Sequence, residues 1–588
     1  MKEKIPRTIN RLTSDLLFVH PPAFFDFRNQ DKIYFPYLST SGDVPITPLY
    51  EYFPMGFKTL KKYLGDRNFD VKILNLSTLL LKYPSVDLEA LLKNIEVKIF
   101  GVDLHWMVHV QGSLEIASLL KKIHPESYLM LGGISSTYYA DELIKYPFID
   151  FVMRGYDTHK PMALLMDAVK QSSGFETVPN LLWKRPDKEI VDNKFEYTPS
   201  TLHAGIDWSD IPQNSTEGFA FPIKEMLSTS NIGCTSNCGW CGGSRDAFRR
   251  VNQCDHSIIH KDLPDMRDEI NSMRLIEDID KHHFYLCGTY NESQNRINNF
   301  LKYISALKLK SISYEQYFLT PDDILKKMSQ ANEKTIITLS PESPDIKIAK
   351  LAGRGAYTMD EMEKWIERAL DYGIYEIDIW FFIGMPEQDS SSVYETVDYC
   401  RKLLKKFRGK RVVPLLCPMI PFLDPASNFF ESPSRHGYKV FYRTVEEHRN
   451  GMLRASLINR INYETRWLSR EQLVDVSYQA VKKLFEIKGE YGALPEGITE
   501  SVISKIDDAV KFIHVVHEID CIVNDKERQR ELEKISGEIK RRNNNIFYHG
   551  VANQTFPINR EIGGRWIDEI PWNLDGNSLL NGLVSSDI

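Results

Sequence analysis

Three cysteines fall within eight positions of one another: Cys234, Cys238 and Cys241, in the run NIGCTSNCGWCGG. Thiolates suit iron, and spacings this short let one loop wrap a cube of metal and sulfide. With three protein ligands, one iron keeps an open position at which a small molecule can chelate. Gly233, Gly239, Gly242 and Gly243 permit the tight turns that such wrapping needs. Zinc is the competing reading, with Cys254 or His256 as a fourth ligand. Structural zinc sites favour two C-x2-C pairs or a Cys/His pair at set spacing, and no second pair is present. A four-cysteine cluster completed by Cys254 is the other alternative.

Such a loop needs a scaffold, and the surrounding pattern supplies one. Strand signals at 228–233, 283–287, 311–318, 335–339, 375–383 and 411–417 alternate with helical stretches. The clearest helix covers 359–372. Thr358 and Glu361 form its capping box and Gly373 its stop, and Met362, Trp365, Ile366, Ala369 and Leu370 make an apolar stripe. Six strand–helix units predict a partial (β/α)6 barrel, whose active-site loops lie at the C-terminal strand ends. The cysteines sit in the first of those loops.

The first ~160 residues show a separate α/β alternation. Strands are expected at 15–20, 71–76, 98–103, 128–131 and 149–153, with helices at 55–64 and 113–123. This predicts a Rossmann-like, doubly wound parallel sheet, whose ligands bind beyond the C-terminal strand ends. The loops there read HPP (20–22), DLHW (103–106), GGISST (132–137) and RGYD (154–157). The expected organisation is therefore a Rossmann-like domain over 1–165, a connector with a hairpin over 166–225 and the barrel over 226–430. A mostly helical C-terminal domain over 431–545 and an irregular, Gly-, Pro- and Asn-rich tail over 546–588 follow. The SREQ run at 469–472 is a capping-box start, and the charged stretch at 524–545 reads as a solvated helix.

Bulk properties narrow the class. At 588 residues the chain is too long for one core, so three or four domains are expected. A hydrophobic fraction of 42% and a charged fraction of 26% are ordinary for a globular protein. A net charge of −7 without a long basic run argues against a nucleic-acid partner. The polar N-terminus is no secretory signal, and no apolar stretch reaches the ~18 residues of a membrane span. The expected location is the cytoplasm, where eight cysteines do not form a disulfide scaffold.

With Trp240 before its third cysteine, the C-x3-C-x2-C run resembles the signature of the radical S-adenosylmethionine (SAM) superfamily. The segments TIITLSPESPDIKIAKLAGRGAYTMDEMEKWIERALDYGI and IDIWFFIGMPEQD resemble later barrel strands of its cobalamin-dependent branch. With GGISSTYYADEL and NYETRW, the chain resembles a subfamily of cobalamin-binding-domain radical SAM proteins over roughly residues 12–520. That resemblance implies a [4Fe–4S] cluster on Cys234, Cys238 and Cys241, with SAM on the open iron.

It further implies SAM contacts at Trp240, Gly288, Ser340, Glu342, Gly384 and Pro386. The family's GGE-like segment, which holds the methionine amino group, is absent; the chain reads Cys287-Gly288-Thr289-Tyr290 there. A bland alternative makes Ser340–Glu342 a Ser-Pro turn with an exposed glutamate. Gly384 and Pro386 read equally well as an ordinary strand-ending turn. Cobalamin would lie against Gly132, Gly133, Ser135, Ser136, Gly155 and Tyr156. The D-x-H-x-x-G motif that supplies a lower cobalt ligand in many cobalamin proteins is missing after the first strand, where the loop reads HPPAFF. The run Asp103-Leu104-His105-Trp106-Met107-Val108 lacks the glycine and follows the third strand, so His105 is not expected to ligate cobalt. Cys287 and Cys417, at barrel strand ends, read as small buried hydrophobes rather than cavity residues, and the NYETRW aromatics as core rather than a substrate platform; His282 and His283 precede a strand and are expected at the barrel's far end.

The implied function is a cobalamin-dependent radical SAM enzyme that methylates an unactivated carbon. The substrate would be a small molecule, lipid or peptide, and an external one-electron reductant such as flavodoxin or ferredoxin would feed the cluster. Ring formation, carbon–carbon coupling or rearrangement is the alternative chemistry. An iron–sulfur or zinc redox sensor or scaffold is the alternative of another class.

Overall fold

Runs of Val, Ile, Leu and Phe set the strands of the first half. In β1 (Leu12–His20) the last five residues are all buried, as in a parallel strand covered on both faces. The computed structural model describes residues 12–544 apart from 30, 37–54, 83–84, 211–224, 277–278, 280–282, 289–291, 308, 310, 419–422 and 495–497. His282, Thr289, Tyr290 and the tail over 546–588 lie outside the described residues.

β2 (Val71–Asn75), β3 (Ile95–Asp103), β4 (Tyr128–Gly132) and β5 (Phe151–Met153) join β1 in one parallel sheet, ordered β2-β1-β3-β4-β5. Helices Met55–Gly65 and Val110–Ile123 are among those covering its two faces. Packing on one face is tight: a Cβ on Gly101 would come within 2.7 Å of the Phe18 ring. The hairpin expected in the connector forms β6 (Leu181–Lys184) and β7 (Ile190–Asp192). It pairs antiparallel with β5, so it extends this first sheet to seven strands.

The strand expected over 228–233 is two strands. β9 (Glu225–Thr229) enters the barrel, whereas β10 (Asn231–Gly233) pairs with β11 (Ile258–Lys261) in a small sheet with β8 (Thr201–Leu202). The chain turns at Ser230, whose N–H stays on Cys287 O (3.2 Å). The barrel continues through β12 (His283–Cys287), β13 (Ser311–Gln316), β14 (Lys334–Glu342), β15 (Glu376–Ile383) and β16 (Val412–Pro418). All six strands are parallel, in the order β9-β12-β13-β14-β15-β16. Side chains alternate across the curved sheet. In β15, Ile377, Ile379, Phe381 and Ile383 join the core under the helices, which leaves Glu376, Asp378, Trp380 and Phe382 for the inner face. Helix Met359–Asp371 carries the expected capping box of Thr358 and Glu361.

The C-terminal part is helical around a short antiparallel pair, β17 (Tyr438–Val440) and β18 (Tyr463–Thr465). Tyr463 is fully buried, so the NYETRW run supplies core there. Ser469 and Gln472 cap helix Arg470–Glu490, as their spacing implied. Helix Asp525–Asn544 is largely solvated, yet Asn543 returns to the first unit through Phe35 N–H (2.9 Å) and Ile33 O (2.8 Å). Among the described residues no helix is long and apolar enough to cross a membrane.

Helix Val445–Met452 docks the C-terminal part on the first sheet. Val445 and Met452 belong to the same core as β1 and β3, and Arg449 pairs with Glu115 at 2.6 Å. His448 is fully buried in this helix, and burial pushes its pKa from 6.5 down to about 4 against the opposing pull of Thr444 O and Glu447. The unfolded chain therefore takes up a proton near pH 6.5 that the folded chain refuses until about pH 4. Stability should be fully present above pH 6.5 and fall across that window, by about 3 kcal/mol in all. Acid-induced loss of Tm that is blunted in His448→Gln is the expected result; an unchanged pH profile in the variant would refute it.

Candidate functional site

The cysteine loop runs from β10 to helix Arg245–Asn252, and its backbone is held from three sides. Cys234 N–H donates to Ser257 O (2.8 Å), Gly239 N–H to Ala352 O (2.9 Å) and Phe429 N–H to Gly239 O (2.8 Å). Two of its contacts tolerate no side chain. A Cβ on Gly239 would lie 2.1 Å from the Phe429 ring, and one on Gly353 would lie 2.5 Å from Asn237 O. Cys234 and Cys238 are buried and Cys241 is partly so. Ser236 N–H points at Cys234 Sγ and Gly243 N–H at Cys241 Sγ, both at 3.3 Å. Amides aimed at sulfur are what a thiolate cluster uses.

Without a metal these thiols are unsuited to ionise. Burial pushes Cys238 up to about 12 against the opposing pull of Arg354, and burial followed by the Asp424 charge raises Cys241 well above its usual value. Among the described residues, the sets with ligand atoms all within 4.8 Å of one another are His20–Asp103–His105 and His203–Asp262–Asp265. Cys254 faces elsewhere: it packs beside Tyr156 and Ile232 on a small core of Leu202, Ala204, Phe248 and Ile259, and its thiol donates to His256 O (3.6 Å).

Beside the loop lies a cavity of about 130 Å³ lined by Ser236, Tyr317, Ser340, Gly353, Arg354 and Tyr357, among others. Ser340–Glu342 is not a turn. It is the end of β14, with a register irregularity between Leu339 and Glu342, and Glu342 takes a positive φ of 71°. Glu342 is fully buried, not exposed. Its partner is Arg354, whose Nε lies 3.1 Å from Glu342 Oε1 and whose guanidinium lies 3.3 Å over the Tyr317 ring. Burial raises Glu342 to about 7, with Arg354 pulling the other way. Arg354 escaped the sequence reading although it stands in the quoted AGRG run; its partner is twelve residues away across a helix, which no local spacing marks.

The remaining sequence-predicted SAM residues divide. Trp240 sits 5.3 Å from Phe382 ring to ring, and its buried Nε1 has no partner. Gly288 has a φ of +83°, its carbonyl accepts from Asn231 Nδ2 (2.6 Å), and its N–H faces the Glu315 carboxylate. Burial raises Glu315 against the pull of Arg354. Gly384 is already engaged: its N–H donates to Gln388 Oε1 (2.8 Å) and its carbonyl accepts from Tyr438 OH (2.7 Å). Pro386 follows in the turn braced by Gln388, whose Oε1 also takes Met385 N–H. Cys417 is near enough to Glu342 for that charge, after burial, to help raise its thiol to about 12.

At the first sheet, the expected cobalamin residues are packed against the β3 loop. Gly133 has a φ of +115°, and its Cβ would lie 2.8 Å from His105 N and Cα. Ser135 Oγ donates to His105 O (3.4 Å) and Ser136 Oγ to Gly132 O (3.1 Å). Gly155 N–H donates to Thr137 Oγ1 (3.1 Å), and Tyr156 OH donates to Pro199 O (2.5 Å). Two imidazoles hold the carboxylate that ends β3, and a third, His109, packs against both rings. Asp103 Oδ1 is 3.0 Å from His20 Nδ1 and Oδ2 is 2.6 Å from His105 Nδ1, with the His109 ring 5.0 Å from that of His105. Burial alone would raise Asp103, but His20 and then His105 hold it well below the usual carboxylate range.

One residue joins the two centres. Asp424 accepts from Trp106 Nε1, in the β3 loop, and from Gly242 N–H, in the cysteine loop, each at 3.0 Å. The strand-end loops of the sheet and of the barrel thus meet at this carboxylate, and Tyr156 also packs on Phe248 in the helix after the cysteine loop.

Residues 43–165 match the B12 binding domain family, and residues 230–400 match the radical SAM superfamily. The chain is a radical SAM protein with an N-terminal B12-binding domain. Those two domains carry with them a [4Fe–4S] cluster, SAM and cobalamin. The solved structure of the radical SAM methyltransferase TsrM from Kitasatospora setae, with cobalamin and a [4Fe–4S] cluster bound, shares the fold. It aligns at a TM-score of 0.52 and 14% identity over 74% of this chain and 81% of that one. The cobalamin-dependent SAM radical enzyme OxsB with aqua-cobalamin bound aligns at 0.52 and 13% identity, over 93% and 74%. No curated protein matches at the sequence level.

Proposed function

We propose that this radical SAM protein methylates an unactivated carbon of a small-molecule, lipid or peptide substrate. The observation that carries the reading is the Trp106–Asp424–Gly242 bracket, which draws the strand-end loop of the B12-binding domain against the cysteine loop. That TsrM, which shares the fold, is a methyltransferase supports it.

When bound, SAM at the cluster would supply hydrogen-atom abstraction and cobalamin would supply the methyl group. The chain orients them. Cys234, Cys238 and Cys241 would hold the cluster, and Trp240 and Ser340 would flank SAM. Glu315 beside Gly288 offers an acceptor for the methionine ammonium, in place of the missing GGE-like segment. Glu342 and Arg354 form the wall of that pocket. Gly384 and Pro386 shape the β15 end through Gln388 and Tyr438 rather than by touching SAM. Gly132, Gly133, Ser135, Ser136, Gly155 and Tyr156 shape the cobalamin face, mostly by bracing the loop after β3. An external one-electron donor reduces the cluster.

The test is anaerobic reconstitution with iron, sulfide, cobalamin and methyl-deuterated SAM. Retention of cobalamin, with formation of both 5′-deoxyadenosine and S-adenosylhomocysteine, is expected. 5′-Deoxyadenosine without S-adenosylhomocysteine would overturn methyl transfer.

A further inference from the structure

We propose that the chain carries a metal site apart from its cluster: a divalent cation of the zinc class on His203, Asp262 and Asp265, with His159 holding a water on the cation's open position. It stands at the seam between the first domain and the barrel, on a cavity none of whose lining residues is expected against SAM or cobalamin.

The backbone brings the three ligands together. β8 and β11 run parallel with Thr201 opposite His260 and Leu202 opposite Lys261, so the next pair in that register is His203 and Asp262. Asp262 N–H donates to Leu202 O (3.0 Å), which keeps the pair side by side past the strand ends. Asp262 also precedes helix Leu263–Met273, and Asp265 stands on the first turn of that helix. Those two positions face one another at a helix start, as in a capping box. Here the Asp262 carboxylate makes no cap bond. His203 Nδ1 lies 3.4 Å from Asp265 Oδ2 and 3.9 Å from Asp262 Oδ2, and one ligand atom from each residue lies within 4.8 Å of the others. Asp265 Oδ2 is buried, and its contact with His203 is not a hydrogen bond. One imidazole nitrogen and two carboxylate oxygens suit a divalent transition-metal ion, which keeps an open position when the protein supplies three ligands.

Three such residues near a surface do not alone make a site, and His159 supplies the independent ground. His203 and Asp265 open on a cavity of about 340 Å³ that His159, Tyr63 and Tyr197 also line. The His159 side chain is 7% exposed, with Nδ1 2.9 Å from Asp157 Oδ1. That carboxylate keeps the proton on Nδ1 and leaves Nε2 as an acceptor. Nε2 is buried and has no hydrogen-bond partner. Buried polar atoms are met as a rule, so this one points to a donor in the cavity. The Tyr63 ring, edge-on at 5.1 Å, fixes the imidazole plane. His159 is outside the set whose ligand atoms lie within 4.8 Å of one another, so it would accept from a water on the cation rather than ligate the cation itself. The cationic side chains of the same cavity are engaged: Lys62 pairs with Asp66 at 2.7 Å, and the Arg67 guanidinium lies 3.6 Å over the Tyr63 ring. An ion here would tie the connector, through His203, to the first helix of the barrel.

The experiment uses the full chain with its iron–sulfur cluster reconstituted and unbound metal removed, titrated anaerobically with zinc and read by X-ray absorption at the zinc edge. One zinc per chain is expected, with nitrogen and oxygen neighbours at about 2.0–2.2 Å and no sulfur at about 2.3 Å. His203→Ala and Asp265→Asn should each abolish the site. His159→Ala should keep the stoichiometry and weaken zinc about tenfold or more, as loss of a group that orients a metal's ligand does. Sulfur neighbours would place the zinc on cysteines and overturn the proposal. So would zinc that survives His203→Ala, an affinity unmoved in His159→Ala, or several weak sites in place of one, which would mean surface carboxylates only. The His203 side chain is 58% exposed, so His203→Ala decides if Asp265→Asn does not fold.

Discussion

Cys238→Ala should leave the chain folded but without an iron–sulfur cluster: iron and sulfide fall to background, and 5′-deoxyadenosine formation falls below detection. The expectation is large because an unpaired ligand cannot be replaced from nearby. Cys254 is the nearest cysteine in sequence beyond the three, and it is packed beside Tyr156 and Ile232 with its thiol on His256 O. Cys254→Ala is therefore the informative control, and it should keep its iron and sulfide. Loss of the cluster in Cys254→Ala would restore the four-cysteine reading. One zinc and no sulfide in the wild-type chain would restore the zinc reading and sink the radical one. The fold should tolerate Cys238→Ala, because the loop is held by backbone contacts from Ala352, Phe429 and Ser257 rather than by the thiol.

The sequence was most legible where chemistry or periodicity is local. The cysteine spacing, the capping boxes at Thr358 and Ser469, and the alternation of strands and helices depend on neighbours within a few residues, and each is found in the structure. What failed to show depends on distant partners. The 228–233 run is one hydrophobic stretch, yet it divides at Ser230 because β9 and β10 are claimed by different sheets. Glu342 looked like the exposed end of a Ser-Pro turn on one reading, and only β14's irregular end and Arg354 explain its burial. The resemblance places cobalamin against the first-domain glycines and serines; Gly133, Ser135 and Ser136 also touch Leu104, His105 or Gly132, a relation between two strand-end loops that spacing does not encode.

Arg354→Met should be the most damaging single change outside the cysteines. Arg354 and Glu342 are a buried pair, with side chains 6% and 0% exposed. Removing one member of such a pair strands the other charge, at a cost of about 3–5 kcal/mol. The guanidinium also covers the Tyr317 ring, and its charge is the principal counterweight to the burial of Cys238. The variant should lose stability by that amount in denaturant titrations of the cluster-free chain, and should take up less iron on reconstitution. Two further variants separate charge from packing. Glu342→Gln with Arg354→Met removes both charges and should regain most of the lost stability, giving a coupling energy of about 2 kcal/mol or more in a double-mutant cycle. Arg354→Lys keeps the charge but loses the planar fork over Tyr317, and should fall between the two. Additive losses in the double variant would mean that the pair contributes packing alone, and Glu342 would then have no electrostatic part in shaping the pocket beside the cluster.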